Sequence, residues 1–139
     1  IQLNPIKDDT DSEAAVMYAI EKGYQKIHLY GGLGGRLDHA MINLRLVSRF
    51  PETLYLHDEN NYIYSLGEGM HSVEKHDYTY ISFFTEDESI IPLEGMKYPL
   101  TNQKLTNKDT YTTSNEILED KGIVTVHAGK VTVIQSKDA

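Results

Sequence analysis

The apolar residues of this chain change period once, and that change decides where helices and strands can lie. Up to about residue 50 they recur at helical spacing: Ala15, Val16, Ala19 and Ile20, then Leu37, Ala40, Met41, Leu44 and Val47. From residue 53 the period is two, in the tyrosine-rich segments TLYLH, NYIYSL, MHSVE and DYTYISFF, separated by Asp, Asn and Gly. A helix-period pattern does not settle as a strand, nor the reverse. The chain is therefore expected to be an α/β part over 1–58 followed by an all-β part over 59–139. The boundary falls at the polar turn Asp58-Glu59-Asn60-Asn61. No long helical pattern interrupts the second part, which favours an antiparallel sandwich or barrel over more α/β.

Local signals sharpen the first part. Thr10-Asp11-Ser12-Glu13 fits a capping box, and Gly23 stops the helix that follows. The short strand KIHLY (26–30) then leads into GGLGGRLDH (31–39), and a second helix runs on to Pro51. Strand, glycine loop, helix is the order expected of a ligand site at a strand's carboxyl end. Near the end, IVTVH-AG-KVTVI reads as a hairpin, with Val124 and Val126 facing Val131 and Val133.

Composition narrows the partners. The 139 residues carry a formal charge of -8, which argues against a basic nucleic-acid surface, although a metal ion lets an acidic chain hold phosphates. There is no cysteine, so disulfides and thiol catalysis are excluded and a cytoplasmic setting is the default. No apolar run approaches a membrane span, and no membrane partner is expected. The six histidines lack HxxxH or Cys/His ligand spacing, and His57 and His127 read as structural.

The chemistry-bearing residues fall in three places. In the glycine loop, freed backbone N–H groups and a helix start favour an anion, and Arg36 adds a planar donor array suited to phosphate. Asp38, two residues on, can orient an amine or hydroxyl or ligate a metal. A tight strand-to-helix turn, with Asp38 simply favouring the helix dipole, accounts for the same residues. The loop is neither a Walker loop nor a dinucleotide fingerprint, because no Gly-Lys-Ser/Thr follows and Leu37 stands where a third glycine belongs. The run KDDTD, Lys7 to Asp11, offers hard oxygen ligands of the kind Mg²⁺ takes, or else an acidic first turn on a surface helix. Ser114-Asn115-Glu116 offers donors and acceptors for the edge of a heterocycle, or a plain polar turn.

Taken jointly, KDDTDSEAA, GGLGGRLDH, GMKYPL (95–100) and TTSNE (112–116) resemble bacterial thiamine pyrophosphokinases in order and spacing. That resemblance implies a Rossmann-like α/β catalytic part, truncated here, followed by a C-terminal antiparallel β-sandwich that binds thiamine. It implies transfer of a pyrophosphoryl group from ATP to thiamine, giving thiamine diphosphate and AMP, with Mg²⁺, in a homodimer whose thiamine lies near the subunit interface. Carried over position by position, it gives Asp11, Arg36 and Asp38 catalytic roles, with Asp8 and Asp11 on the metal. Lys7, Asp8, Thr10, Gly34, Gly35 and Arg36 face the nucleotide, and Asp38, His39, Ser114 and Asn115 face thiamine. Asp38 and Ser114 are expected to converge on that substrate. The family's upstream Gly-Asp-x-Asp-Ser motif has no match here, and the chain opens on Ile1. The expectation is thus a carboxyl-terminal portion lacking part of the active site, with the apolar helix faces left uncovered. The competing function is a non-catalytic module that binds a small heterocycle or a protein partner.

Overall fold

The computed structural model describes residues 1–3, 11–101 and 103–139, and the side chains of Leu3 and Asp11 lie outside that description. Strand β1 (Gln2–Leu3), helix α1 (Asp11–Glu21), β2 (Ile27–Tyr30), α2 (Leu37–Arg49) and β3 (Leu54–His57) form the α/β part. Then follow β4 (Asn61–Leu66), β5 (Gly69–Glu74), β6 (Tyr80–Phe84), β7 (Glu88–Ile90), β8 (Leu93–Glu94) and β9 (Lys104–Thr106). Strands β10 (Lys121–Val126) and β11 (Val131–Ser136) close the chain.

Strands β1, β2 and β3 pair in parallel, as helix-linked crossovers require. Both helices pack on one face of these strands: Val16 and Ala19 of α1 and Leu46 and Val47 of α2 meet Ile27, Leu29, Leu54 and Leu56. The alternation along β2 and β3 puts His28, Tyr30, Tyr55 and His57 on the opposite face.

Three features emerge in three dimensions. First, one sheet runs across the boundary at residue 58. Strand β4 pairs antiparallel with β3 across the polar turn, and one six-stranded sheet runs in the order β1-β2-β3-β4-β11-β6. The β part extends the α/β sheet, and its second sheet, β5-β10-β8, packs against the far half of it.

Second, β10 and β11 are not a hairpin. Strand β10 pairs with β5 and β8, whereas β11 pairs with β4 and β6. Val124, Val126, Val131 and Val133 do share one core, but they meet across two sheets instead of along one. Gly129, at φ +77°, turns the chain between the sheets, and a side chain there would lie 2.8 Å from the Glu88 carbonyl oxygen. A backbone approach that close leaves room for nothing but glycine.

Third, α2 is rotated from its sequence-predicted face. It buries Ala40, Asn43, Leu46, Val47 and Ser48, while Leu37 is 77% and Met41 49% exposed. The rotation brings Asn43 inward, where its Nδ2 donates to the Gly32 carbonyl oxygen at 2.7 Å. Turning residue 43 inward carries residues 37 and 41 outward on the helical wheel. The expected capping box cannot be traced, because Thr10 lies outside the described residues; the Glu13 carboxylate accepts from Arg49 Nη1 at 3.1 Å.

Candidate functional site

The glycine loop leaves β2 at the carboxyl end of the parallel strands and delivers the chain to the start of α2. Gly31 and Gly35 take φ of +78° and +82°, the left-handed region in which glycine carries no steric penalty. Gly32 is buried, and the Asn43 amide that binds its carbonyl anchors the loop to α2. Gly34, Gly35 and Arg36 are exposed, and Arg36 is the N-cap of α2 without a side-chain capping bond. The positive end of the helix therefore lies beside a guanidinium, a combination that favours an anion.

Arg36 and Asp38 face each other. Arg36 Nη2 donates to Asp38 Oδ2 at 2.6 Å, and both side chains are more than half exposed. Asp38 Oδ1 also accepts from the His39 backbone N–H at 2.9 Å. The hydrogen bond from Arg36 is the main cause holding the Asp38 carboxyl below the usual carboxylate range. His39 is half-buried behind it. Lys7, Asp8 and Thr10 lie outside the described residues, as does the Asp11 side chain, although Asp11 opens α1. Among the described residues no three His, Asp or Glu side chains cluster as a metal site. The hard-ligand set expected for Mg²⁺ is confined to that undescribed acidic stretch.

The second place is the free edge of β6, where the TTSNE segment adds as an irregular strand. Phe83 N–H bonds the Thr112 oxygen at 3.0 Å, and Ile81 exchanges two bonds with Asn115 at 2.8 and 2.9 Å. Between these pairs one residue, Ser82, opposes two, Thr113 and Ser114. This is a β-bulge, and bulges re-aim side chains. Ser114 takes φ +57°, and its orphaned N–H donates to Ser82 Oγ at 2.9 Å. Its own side chain is left at the exposed surface. Asn115 differs: it is 3% exposed. Its Oδ1 accepts from the N–H groups of Tyr98 and Glu116, both at 2.9 Å, and its Nδ2 donates to the Tyr98 carbonyl at 2.9 Å and to Met96 Sδ at 3.8 Å. An asparagine amide has two donor and two acceptor positions, and all four are filled from within the chain.

The two places share one end of the sheet but not one point. Pairing runs in a row from Tyr30 to His57, Tyr62, Gln135, Ile81 and Asn115. The glycine loop and the bulge thus sit at the same level. Five strand spacings separate them, about 24 Å.

Residues 1–58 match the catalytic domain of thiamin pyrophosphokinase, and residues 70–131 match the thiamin pyrophosphokinase vitamin B1 binding domain. The crystal structure of a probable thiamine pyrophosphokinase from Staphylococcus saprophyticus subsp. saprophyticus is 32% identical, with a TM-score of 0.68, over 100% of this chain and 67% of that one. The chain belongs to the thiamine pyrophosphokinase family. It is 36% identical over 138 residues to the thiamine pyrophosphokinase of Bacillus subtilis (strain 168), covering 95% of this chain and 64% of that protein. The crystal structure of thiamine pyrophosphokinase from Bacillus subtilis superposes with a TM-score of 0.87 at 32% identity, over 93% of this chain and 63% of that one. The chain thus spans a little under two thirds of the length of these Bacillus relatives.

Three residues that shape the site escaped the sequence reading. Asn43 staples the glycine loop, Ser82 satisfies the bulge, and buried Thr112 bonds the Phe83 oxygen through Oγ1 at 2.6 Å. Asn43 had one signal, a polar residue inside an otherwise apolar helical stripe; Thr112 opens the TTSNE run, and Ser82 had none. His57, read as structural, pairs its Nε2 with His28 Nδ1 at 2.8 Å and stacks between Tyr30 and Tyr62. Burial, with His28 beside it, lowers its pKa to about 4, so the ring is neutral at pH 7.

Proposed function

We propose that this chain supplies the phosphate-facing and thiamine-facing groups of an ATP-dependent thiamine pyrophosphokinase. The observation that carries this reading is the exposed Arg36–Asp38 pair, set at the start of α2 directly behind the glycine loop, within the stretch that matches the family's catalytic domain. In the reaction, the hydroxyl oxygen of thiamine bonds to the β-phosphorus of ATP, and its proton passes to solvent. The bond from that phosphorus to the α–β bridging oxygen breaks, and AMP leaves. Such a transfer needs positioning and charge neutralisation more than covalent help from the protein.

Arg36 and Asp38 neutralise each other in the free protein. A polyphosphate oxygen competes for the guanidinium and takes Arg36 in a bidentate contact, which frees Asp38 for the cationic, amine-bearing substrate. Released from Arg36, the exposed Asp38 carboxylate serves as a charge and hydrogen-bond acceptor for that substrate. Gly34 and Gly35 let the backbone approach the phosphates. Mg²⁺ belongs to the same reading, with Asp8 and Asp11 as its hard ligands beside Lys7 and Thr10.

The separation of about 24 Å along the sheet row supports a homodimer, in which Asp38 and His39 of one copy and Ser114 of another frame the thiamine. The test is the protein expressed from its own gene and supplied with ATP, Mg²⁺ and thiamine. Thiamine diphosphate and AMP should form in equal amounts by chromatography. Arg36→Ala should abolish most of that turnover with the fold intact by circular dichroism, and Arg36→Lys should recover only part of it. Wild-type kinetics in Arg36→Ala would refute the phosphate role.

A further inference from the structure

We infer that Asn115 is a positioning residue for thiamine binding: it acts by clamping the 96–98 segment beside the Ser114 bulge, and it does not itself touch the ligand. The inference rests on the functional reading above, and three observations lead to it. The Asn115 amide is almost wholly buried, and its four hydrogen-bonding positions are filled, so no polar atom is left to offer a substrate.

Those bonds are not scattered. Three of the four join Asn115 to the segment Met96–Tyr98, two of them on the backbone of Tyr98 alone. The same segment also meets the stretch after Asn115 through its backbone. Lys97 N–H bonds the Glu116 oxygen at 2.8 Å, and Met96 bridges Ile117. The Asn115 side chain therefore adds three bonds to the backbone pairing and the 3.5 Å Lys97–Glu116 ion pair that join GMKYPL to TTSNE.

What the clamp presents is exposed. Tyr98 is 57% exposed, and Ser114 stands on the bulge beside the clamp in a strained backbone conformation. Left-handed backbone at a non-glycine residue persists only where its surroundings over-determine it. Here the two bonds between Asn115 and Ile81, together with the Ser82 hydroxyl, fix Ser114. The amide of Asn115 adds the register of Tyr98 relative to it. Small displacements of a contact surface are enough to weaken binding, so the clamp sets affinity from behind the surface.

The experiment pairs hydrogen exchange with calorimetry on the protein expressed from its own gene. In N115A, the backbone amides of Lys97 and Tyr98 should exchange faster. Thiamine affinity should fall about tenfold to a hundredfold, while ATP affinity stays at the wild-type value. N115D conserves volume and carries the test if N115A does not fold. Its ionised carboxylate opposes the Tyr98 carbonyl, but the protonated acid can donate to that oxygen as the amide does. Burial raises the pKa of such a carboxyl, so N115D should recover thiamine affinity, relative to wild type at the same pH, as the pH falls. Lost thiamine affinity with unchanged exchange at 97–98 would mean that Asn115 meets the ligand directly and would overturn the inference. Faster exchange with thiamine affinity intact would overturn it too. A wild-type protein that binds no thiamine defeats the functional reading instead, and the exchange data still decide the clamp.

Discussion

Replacing Gly32 by alanine tests the contact that joins the glycine loop to α2. The backbone there is not left-handed, so the substitution is governed by space alone. A methyl group built at Gly32 lies 2.9 Å from Asn43 Nδ2, 3.5 Å from Asn43 Cγ and 3.4 Å from Leu29 Cδ2. The Asn43 side chain is fully buried, and its Nδ2 bonds the Gly32 oxygen at 2.7 Å. Its Oδ1 already has no partner among the described residues. Moving the amide away leaves a buried donor and a carbonyl unpaired, which costs about 1–3 kcal/mol. Pushing the side chain off its rotamer adds roughly 0.5–1.5 kcal/mol. Gly32→Ala should therefore destabilise by about 1.5–4.5 kcal/mol, read as a shifted urea midpoint with an unchanged slope. Asn43→Ala removes the same bond and opens a small void, for about 2–3 kcal/mol. In that background the new methyl meets no amide, so the double variant should be no less stable than Asn43→Ala alone. The resulting coupling of about 1.5–4.5 kcal/mol is well above the additivity error of distant sites. If Gly32→Ala costs as much without Asn43 as with it, the close approach is not the reason for glycine at 32.

Ser114→Gly should raise stability by about 0.5–1 kcal/mol, because glycine removes the left-handed strain at φ +57° and returns only part of that in unfolded-state entropy. The same variant should weaken thiamine binding in calorimetry, since the exposed hydroxyl is lost; unchanged affinity would remove Ser114 from the site. His57 carries a pH signature. Its pKa falls from 6.5 to about 4 on folding, so between those values the unfolded chain binds more protons and stability declines as the pH falls. Allowing for the solvent around a half-buried ring, the loss is about 1–2 kcal/mol across the window. His57→Phe, which keeps a ring between Tyr30 and Tyr62, should flatten that part of the stability–pH curve, and an unflattened curve would assign the dependence elsewhere.

Local pattern determined a good deal of this protein. The helical spacing of Val16 and Ala19, the four-residue strand before the glycines, and the alternation in NYIYSL all sit where the chain places α1, β2 and β4. These features are read over a few residues, within reach of backbone sterics and one turn of side-chain periodicity. The four short motifs carried the family in the same way. They also put Arg36 and Asp38 two residues apart, and only a local turn was needed to bring the two charges together.

Tertiary structure decided what depends on partners distant in sequence. Whether Val124 faces Val131 along a hairpin or across two sheets turns on β4, β5 and β6, which outcompete the local turn for the strand edges. Which way α2 faces was decided jointly by Leu46 and Val47 against the sheet and Asn43 on the Gly32 carbonyl, an orientation that leaves Leu37 outside. Asn115 reads in sequence as a polar group available to a ligand. Folding the 96–98 segment against it turns that amide into a fully satisfied internal tie. Hydrogen-bond satisfaction is a property of the assembled interior, where an unpaired polar group is costly, and no periodicity in the chain announces which distant backbone group will meet it.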